Sequence, residues 1–131
     1  MTRTRRSGGD QGSAAVEFVL VLPVLLLVLF AIVDFGRLLN AKIVLSQAAH
    51  EGARAAAIAD DSTAVDTVNR IMGGLVDGMD EPSISGCGTE SGTDSTVTLT
   101  YHFAYVTPLG IFGFGGGSGE TLTASAVVPC L

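Results

Sequence analysis

Few residues in this chain could do chemistry, and the most conspicuous sits in an unusual place. Glu17 lies near the amino end of a run that reads G-S-A-A-V-E-F and then V-L-V-L-P-V-L-L-L-V-L-F-A-I-V, with no charge from Phe18 to Val33. An ionisable side chain in a membrane segment costs about 2.5–3.5 kcal/mol at the bilayer centre and less near an interface. Such a residue is by default functional, with a partner to be named. The two cysteines, Cys87 and Cys130, form an even pair. In a segment outside the cytoplasm that pairing suggests a disulfide, the other reading being two separate thiols. His50 and His102 show no ligand spacing to either cysteine, which argues against zinc. Asp77, Asp80 and Glu81 cluster, but their spacing does not match an EF-hand loop, so a solvated acidic turn is the simpler reading. The glycines from Gly113 to Gly119 fit neither G-x-G-x-x-G nor a phosphate loop. There is no nucleophile elbow, no paired His ligands and no catalytic cysteine context, so the residues describe no enzyme.

The element that must position Glu17 is the apolar run itself. A helix of about 20 residues, rising about 1.5 Å per residue, spans the roughly 30 Å hydrocarbon core of a bilayer. Arg3, Arg5 and Arg6 precede the run. Basic residues flanking a span stay on the cytoplasmic side, which places the amino terminus inside and the rest outside. The net charge is −6; a chain beginning after Gly12 loses three Arg and Asp10, leaving four basic and twelve acidic residues and a net −8. An acidic exterior argues against nucleic acid, which needs a basic footprint. A cleaved secretory signal fits poorly, because D-F-G-R follows the run and no small-x-small site is near. Arg5-Arg6 lacks the following residues of a twin-arginine signal. Residues 1–12 read as a polar cytoplasmic leader. Pro23 is expected to bend the helix mildly rather than break it.

The helical pattern continues beyond the membrane. Leu38, Ala41, Leu45, Ala48, Gly52, Ala55 and Ala59 recur at alternating three and four residues, a seam of small side chains that permits close backbone approach. Traced backwards, that spacing passes through Asp34 and reaches Glu17, which predicts one helix from about Ser13 to Ile58 with Glu17 on its packing stripe. Glu51 and Arg54 stand at i, i+3 as an expected exposed pair. Ser62 or Asp61 is expected to cap a second, short helix carrying Ala64, Val65, Val68, Ile71, Met72 and Leu75, which Gly73-Gly74 stop. Residues 77–95 read as a loop with one short strand. Thr96 to Val106 alternates Val97, Leu99, Tyr101, Phe103 and Tyr105 with Thr98, Thr100, His102 and Ala104, a half-buried strand with His102 on its polar side. Thr121 to Val128 alternates again. The Gly-rich stretch from Leu109 to Gly119 joins them as a hairpin loop, or presents Phe112 and Phe114 as an apolar contact patch.

Taken together, Gly12, the four residues Ser13 to Val16, Glu17-Phe18 and the apolar helix resemble the processing site of type IV pilins and pseudopilins. More closely, G-S-A-A-V-E-F, V-L-P-V-L-L-L, D-F-G-R and A-A-H-E-G-A-R-A-A-A resemble the TadE-like family, small pseudopilins of the tight-adherence (Flp, type IVc) pilus system. The carboxy-terminal half matches in outline only.

That resemblance implies cleavage by a prepilin peptidase between Gly12 and Ser13, with Ser13 the new terminus. It implies that Glu17, with Phe18 beside it, takes part in subunit assembly by pairing with a neighbouring subunit's terminal amine. An ammonium and a carboxylate attract strongly at low dielectric, and leaving either unpaired is costly. The fold implied is α+β and pilin-like: a long amino-terminal hydrophobic transmembrane helix, a short second helix and a small antiparallel sheet. The expected organisation is a leader over 1–12, a transmembrane segment over 13–37 and an extracytoplasmic domain over 38–131. The expected function is that of a minor pilin in assembly of an adhesive pilus. Its partners would be prepilin peptidase, other pilins and pilus assembly platform proteins, with the cytoplasmic membrane crossed once. No catalysis, cofactor, metal, nucleic acid or small-molecule substrate is expected. The alternative is an uncleaved single-pass anchor whose small external domain binds a partner, with Glu17 reaching the headgroups.

Overall fold

The computed structural model describes residues 10–87, 94–106 and 119–130. Helix α1 runs unbroken over Asp10–Ile58, 49 residues with Pro23 inside it. Its first half is apolar on every side and exposed all round: Val16, Leu20, Val24 and Ile32 are each 64–70% exposed. A helix that is hydrophobic on all faces belongs in a core or a membrane. Here an 18-residue stretch of α1 has a mean hydropathy of 3.0 and none of it is buried, so α1 is long and apolar enough to cross a membrane.

The second half of α1 is the spine of a small domain. Ala41, Leu45, Ala48 and Gly52 are buried as the seam predicts. Beyond them the buried positions are Ala49, Ala53 and Ala56, while Ala55 is half-buried and Ala59 is exposed. The expected stripe departs there for a geometric reason. A strict seven-residue repeat drifts by about 20° per heptad on a straight α-helix. The same drift corrects the placement of Glu17. Eighteen residues make about five turns at 3.6 residues per turn, so Glu17 shares a face with Phe35, which is 61% exposed. Glu17 therefore does not lie on the packing stripe.

Helix α2 spans Asp61–Met72 and buries Ala64, Val68 and Met72 at four-residue spacing. Its cap is Asp60 rather than the expected Asp61 or Ser62. Asp60 is extended (φ −153°, ψ 170°), and its Oδ1 accepts the Thr63 N–H at 2.7 Å and the Ser62 hydroxyl at 2.8 Å. These bonds hold the Asp60 carboxyl below the usual aspartate range, the Thr63 backbone N–H contributing most. Gly73 stops the helix at φ 52°, a left-handed value that disfavours any side chain. A 3-10 turn, Gly73–Gly78, then leads to the sheet.

The sheet has strands β1 (Ser83–Ser85), β2 (Asp94–Ala104) and β3 (Gly119–Pro129), in the order β1-β2-β3 and antiparallel throughout. Val97 lies opposite Ala126, Leu99 opposite Ala124 and Tyr101 opposite Leu122. The alternation read from the sequence holds: Val97, Leu99, Tyr101 and Phe103 are buried and His102 is exposed. Both long strands start two residues earlier than expected, at Asp94 and Gly119. Their inner faces close over α1, joining Leu45, Ala48, Ala49 and Ala53 to Val68, Leu99 and Phe103 in one core. Gly52 permits this closeness, since a Cβ there would stand 2.6 Å from Val68 Cγ2 and 3.6 Å from Val97 Cγ1. Cys87 and Cys130 form a disulfide, with Cα atoms 5.8 Å apart, that ties the segment after β1 to the end of β3. The loop reading of residues 109–118, with its Phe112–Phe114 patch, lies outside the described residues.

Candidate functional site

Two places on α1 carry polar chemistry within or beside the apolar run. The first is the amino-terminal turn. Gly12, Ser13, Glu17 and Phe18 are all exposed on the helix, and a Cβ added at Gly12 would meet nothing within 4 Å. Glu17 stands among exposed apolar neighbours, with Val16 64% and Phe18 61% exposed. The residues singled out from the sequence stay together because they lie within two turns of one helix.

The second place was not recognised as a site from the sequence. Asp34, the first charge after the apolar run, is 3% exposed. Its Oδ1 lies 3.6 Å from Arg37 Nη1 and accepts the Val106 N–H at 3.4 Å. The Arg37 guanidinium sits 5.3 Å from the centre of the Phe103 ring, a cation–π contact. Phe103 meets Tyr105 edge-on at 5.4 Å, and the Tyr105 hydroxyl donates to Glu120 Oε2 at 3.2 Å. Burial, followed by the hydrogen bond to Glu120, pushes the Tyr105 phenol above its ordinary value. This junction locks the end of the apolar helix to the near ends of β2 and β3. The available signal was the i, i+3 spacing of Asp34 and Arg37 at the end of the run. Among the described residues the ion pairs are Asp34–Arg37 and Asp80–His102; the expected Glu51–Arg54 pair is not formed.

Among the described residues the other side-chain ion pair lies on the exposed face of the sheet. His102 Nε2 lies 3.1 Å from Asp80 Oδ2, and its Nδ1 lies 3.3 Å from Thr121 Oγ1. The order hydroxyl, imidazole, carboxylate resembles a nucleophile relay. However, His102 and Asp80 are each more than half exposed, the setting of a solvated surface contact. The contact instead ties the segment before β1 onto the sheet, alongside the Asp80 N–H bonded to the Thr100 carbonyl at 2.9 Å. A pocket of about 470 Å³ between α1 and β3 is lined by His50, Glu51, Arg54, Ala57, Ile58, Val128 and Pro129. It offers acid, base and imidazole but no nucleophile. Among the described residues no three His, Cys, Asp or Glu side chains gather as a metal site.

Comparison with known proteins bears on the amino-terminal part. A family model described as TadE-like protein matches residues 12–54. The matched stretch starts at Gly12, takes in the whole apolar run and ends inside the domain-packing half of α1. No curated protein and no solved structure matches the chain.

Proposed function

We propose that this chain, whose residues 12–54 match the TadE-like family, is a minor pilin that takes part in assembling a tight-adherence, Flp-type pilus for adhesion. The family implies a pilus-associated, pilin-like protein of structural rather than enzymatic role. The observation that carries the reading is one arrangement. A Gly-Ser bond, and a carboxylate five residues beyond the glycine, stand at the head of a 47-residue helical stretch, Gly12–Ile58, whose apolar 18-residue window is unburied. The family match begins at that same glycine.

In this reading prepilin peptidase removes residues 1–12. Residues 13–37 anchor the chain in the cytoplasmic membrane with the amino terminus inside, and residues 38–131 form the extracytoplasmic domain. Glu17 then pairs with the terminal amine of a neighbouring subunit, and Phe18 packs beside it. Pairing between subunits sets their axial register, while the apolar helices supply packing without a fixed register. Other pilins and the assembly platform are the partners.

A second reading, an uncleaved single-pass anchor with a partner-binding external domain, is favoured by one observation: α1 is already helical from Asp10, through the Gly12–Ser13 bond. Glu17→Ala in the native host separates the two. As a pilin the variant is still processed and inserted but supports no pili. Normal piliation by Glu17→Ala would remove the pairing role.

A further inference from the structure

Where the apolar run of α1 gives way to the domain, the helix and the sheet leave a pocket of about 380 Å³ between them. On the helix it is lined by Ile32, Val33, Gly36, Arg37 and Asn40, and across from them by Phe103. The lining changes character along α1. Ile32 and Val33 belong to the apolar run and are 64% and 48% exposed, whereas Arg37 and Asn40 are polar and exposed. With the hydrocarbon core ending at Val33, Arg37 stands roughly 6 Å and Asn40 roughly 10 Å above it along the helix. The headgroup layer is about 5–8 Å deep on each side. Side chains on a helix lean toward its amino end, which here is back toward the membrane. The pocket thus crosses the boundary between acyl chains and headgroups.

We infer that this pocket holds a phospholipid of the leaflet nearest the domain, its phosphodiester on Arg37 and Asn40 and an acyl chain along Ile32 and Val33. The inference rests on α1 crossing the membrane, which both readings above share. The Phe103 ring covers one face of the Arg37 guanidinium at 5.3 Å. The approach of Arg37 Nη1 to Asp34 Oδ1, 3.6 Å, is longer than a hydrogen bond. That geometry leaves in-plane N–H groups for an acceptor, and a guanidinium meets a phosphate through two parallel bonds. The Asp34 carboxylate offsets part of the guanidinium charge, so the site takes a phosphodiester whether or not the headgroup is net anionic. The source is a lipid rather than free phosphate, because Ile32, Val33 and Phe103 offer nothing to an inorganic ion. A Cβ at Gly36 would meet nothing within 4 Å, so a side chain there has room to enter the pocket without displacing the fold.

The test extracts the full chain from membranes in mild detergent. Native mass spectrometry then follows its lipid-bound species as dioleoyl-phosphatidylglycerol or dioleoyl-phosphatidylethanolamine is added. Expected is a single lipid of either kind held per chain. Gly36→Leu, and separately Arg37→Ala with Asn40→Ala, should each weaken its retention by at least about tenfold. The Cys87–Cys130 disulfide and the helical content, both kept, check the fold. Lys42→Ala removes an exposed cation that does not line the pocket and should change nothing. Equal retention by the unmodified chain and Gly36→Leu would overturn the proposal. So would a loss in Lys42→Ala as large as in the Arg37 variant, the mark of attraction by bare charge. Displacement of the lipid by millimolar inorganic phosphate would also overturn it, since the ligand would then be a free anion. Alkaline washing of the membranes separates the two claims. A chain washed off the membrane removes the span, and the held lipid with it. A chain that stays in the membrane but retains no lipid removes the pocket site and leaves the span.

Discussion

Asp34 Oδ1 accepts the backbone N–H of Val106 at 3.4 Å, across 72 positions of sequence. The bond joins the first charged residue after the apolar helix to the residue range just beyond β2. With Arg37 beside it, the membrane-type helix and the sheet meet at a defined polar contact as well as through apolar packing.

The two partners of that contact should be unequal. Asp34→Ala is expected to destabilise the domain by about 1.5–3 kcal/mol, the range for a hydrogen bond to a charged group. Arg37→Ala should cost no more than about 1 kcal/mol, since its side chain is 45% exposed. Thermal unfolding of the detergent-solubilised chain measures both, and equal effects would contradict this account of the junction.

Gly52 is predicted to be the least tolerant small residue of the seam. Gly52→Ala places a Cβ against Val68 Cγ2 and Val97 Cγ1, an overpacking of about 1–3 kcal/mol. Val68→Ala alone leaves a cavity costing roughly 0.5–2 kcal/mol by loss of buried methyls. Combined, the two should be less destabilising than their sum, because the second removes the atom the first collides with. Strict additivity in a double-mutant cycle would show that α1 and α2 do not meet there.

The disulfide closes a loop with a separation of 43 residues between Cys87 and Cys130. The chain-entropy model gives about 4 kcal/mol for such a loop. Cys87→Ser with Cys130→Ser should therefore lower the melting temperature markedly, and reductant should then have no further effect. An unchanged melting temperature would mean that the reduced chain is already as constrained as the oxidised one.

Asp60 gives the fold an acid-sensitive cap. Its carboxyl titrates below the ordinary 3.8 in the folded chain, mainly through the Thr63 N–H. The charged form is thus bound more strongly by the folded state. The stabilisation is complete above the ordinary aspartate value and is lost as pH falls through the lowered folded value. Asp60→Asn keeps a capping side chain without the charge. Helicity of the variant should lose this part of the acid dependence while keeping α2 at neutral pH. An identical acid profile in both would assign the sensitivity to another group.

What could be read from the sequence followed from periodicity. The apolar run, the Ala41–Leu45–Ala48–Gly52 seam and the two alternating strands are local patterns, and all appear in the fold. The cap was displaced to Asp60 because three adjacent residues, Asp60, Asp61 and Ser62, can all cap, and only backbone conformation distinguishes them. The face of Glu17 is not legible from the heptad spacing, because a 3.5-residue period carried back from Leu38 over about six turns drifts by roughly 60° on a 3.6-residue helix. The Asp34 junction was not legible as a site, because Val106, Phe103 and Glu120 reach it only after the sheet has folded back along α1.

The central claim is that the chain is a processed pilin, and the mature amino terminus tests it most directly. Intact mass and amino-terminal sequencing of the protein from membranes of a host with its own prepilin peptidase should give a chain beginning at Ser13. A chain still beginning at Met1 or Thr2 would contradict the claim, and Glu17 would then be a residue of an uncleaved membrane anchor.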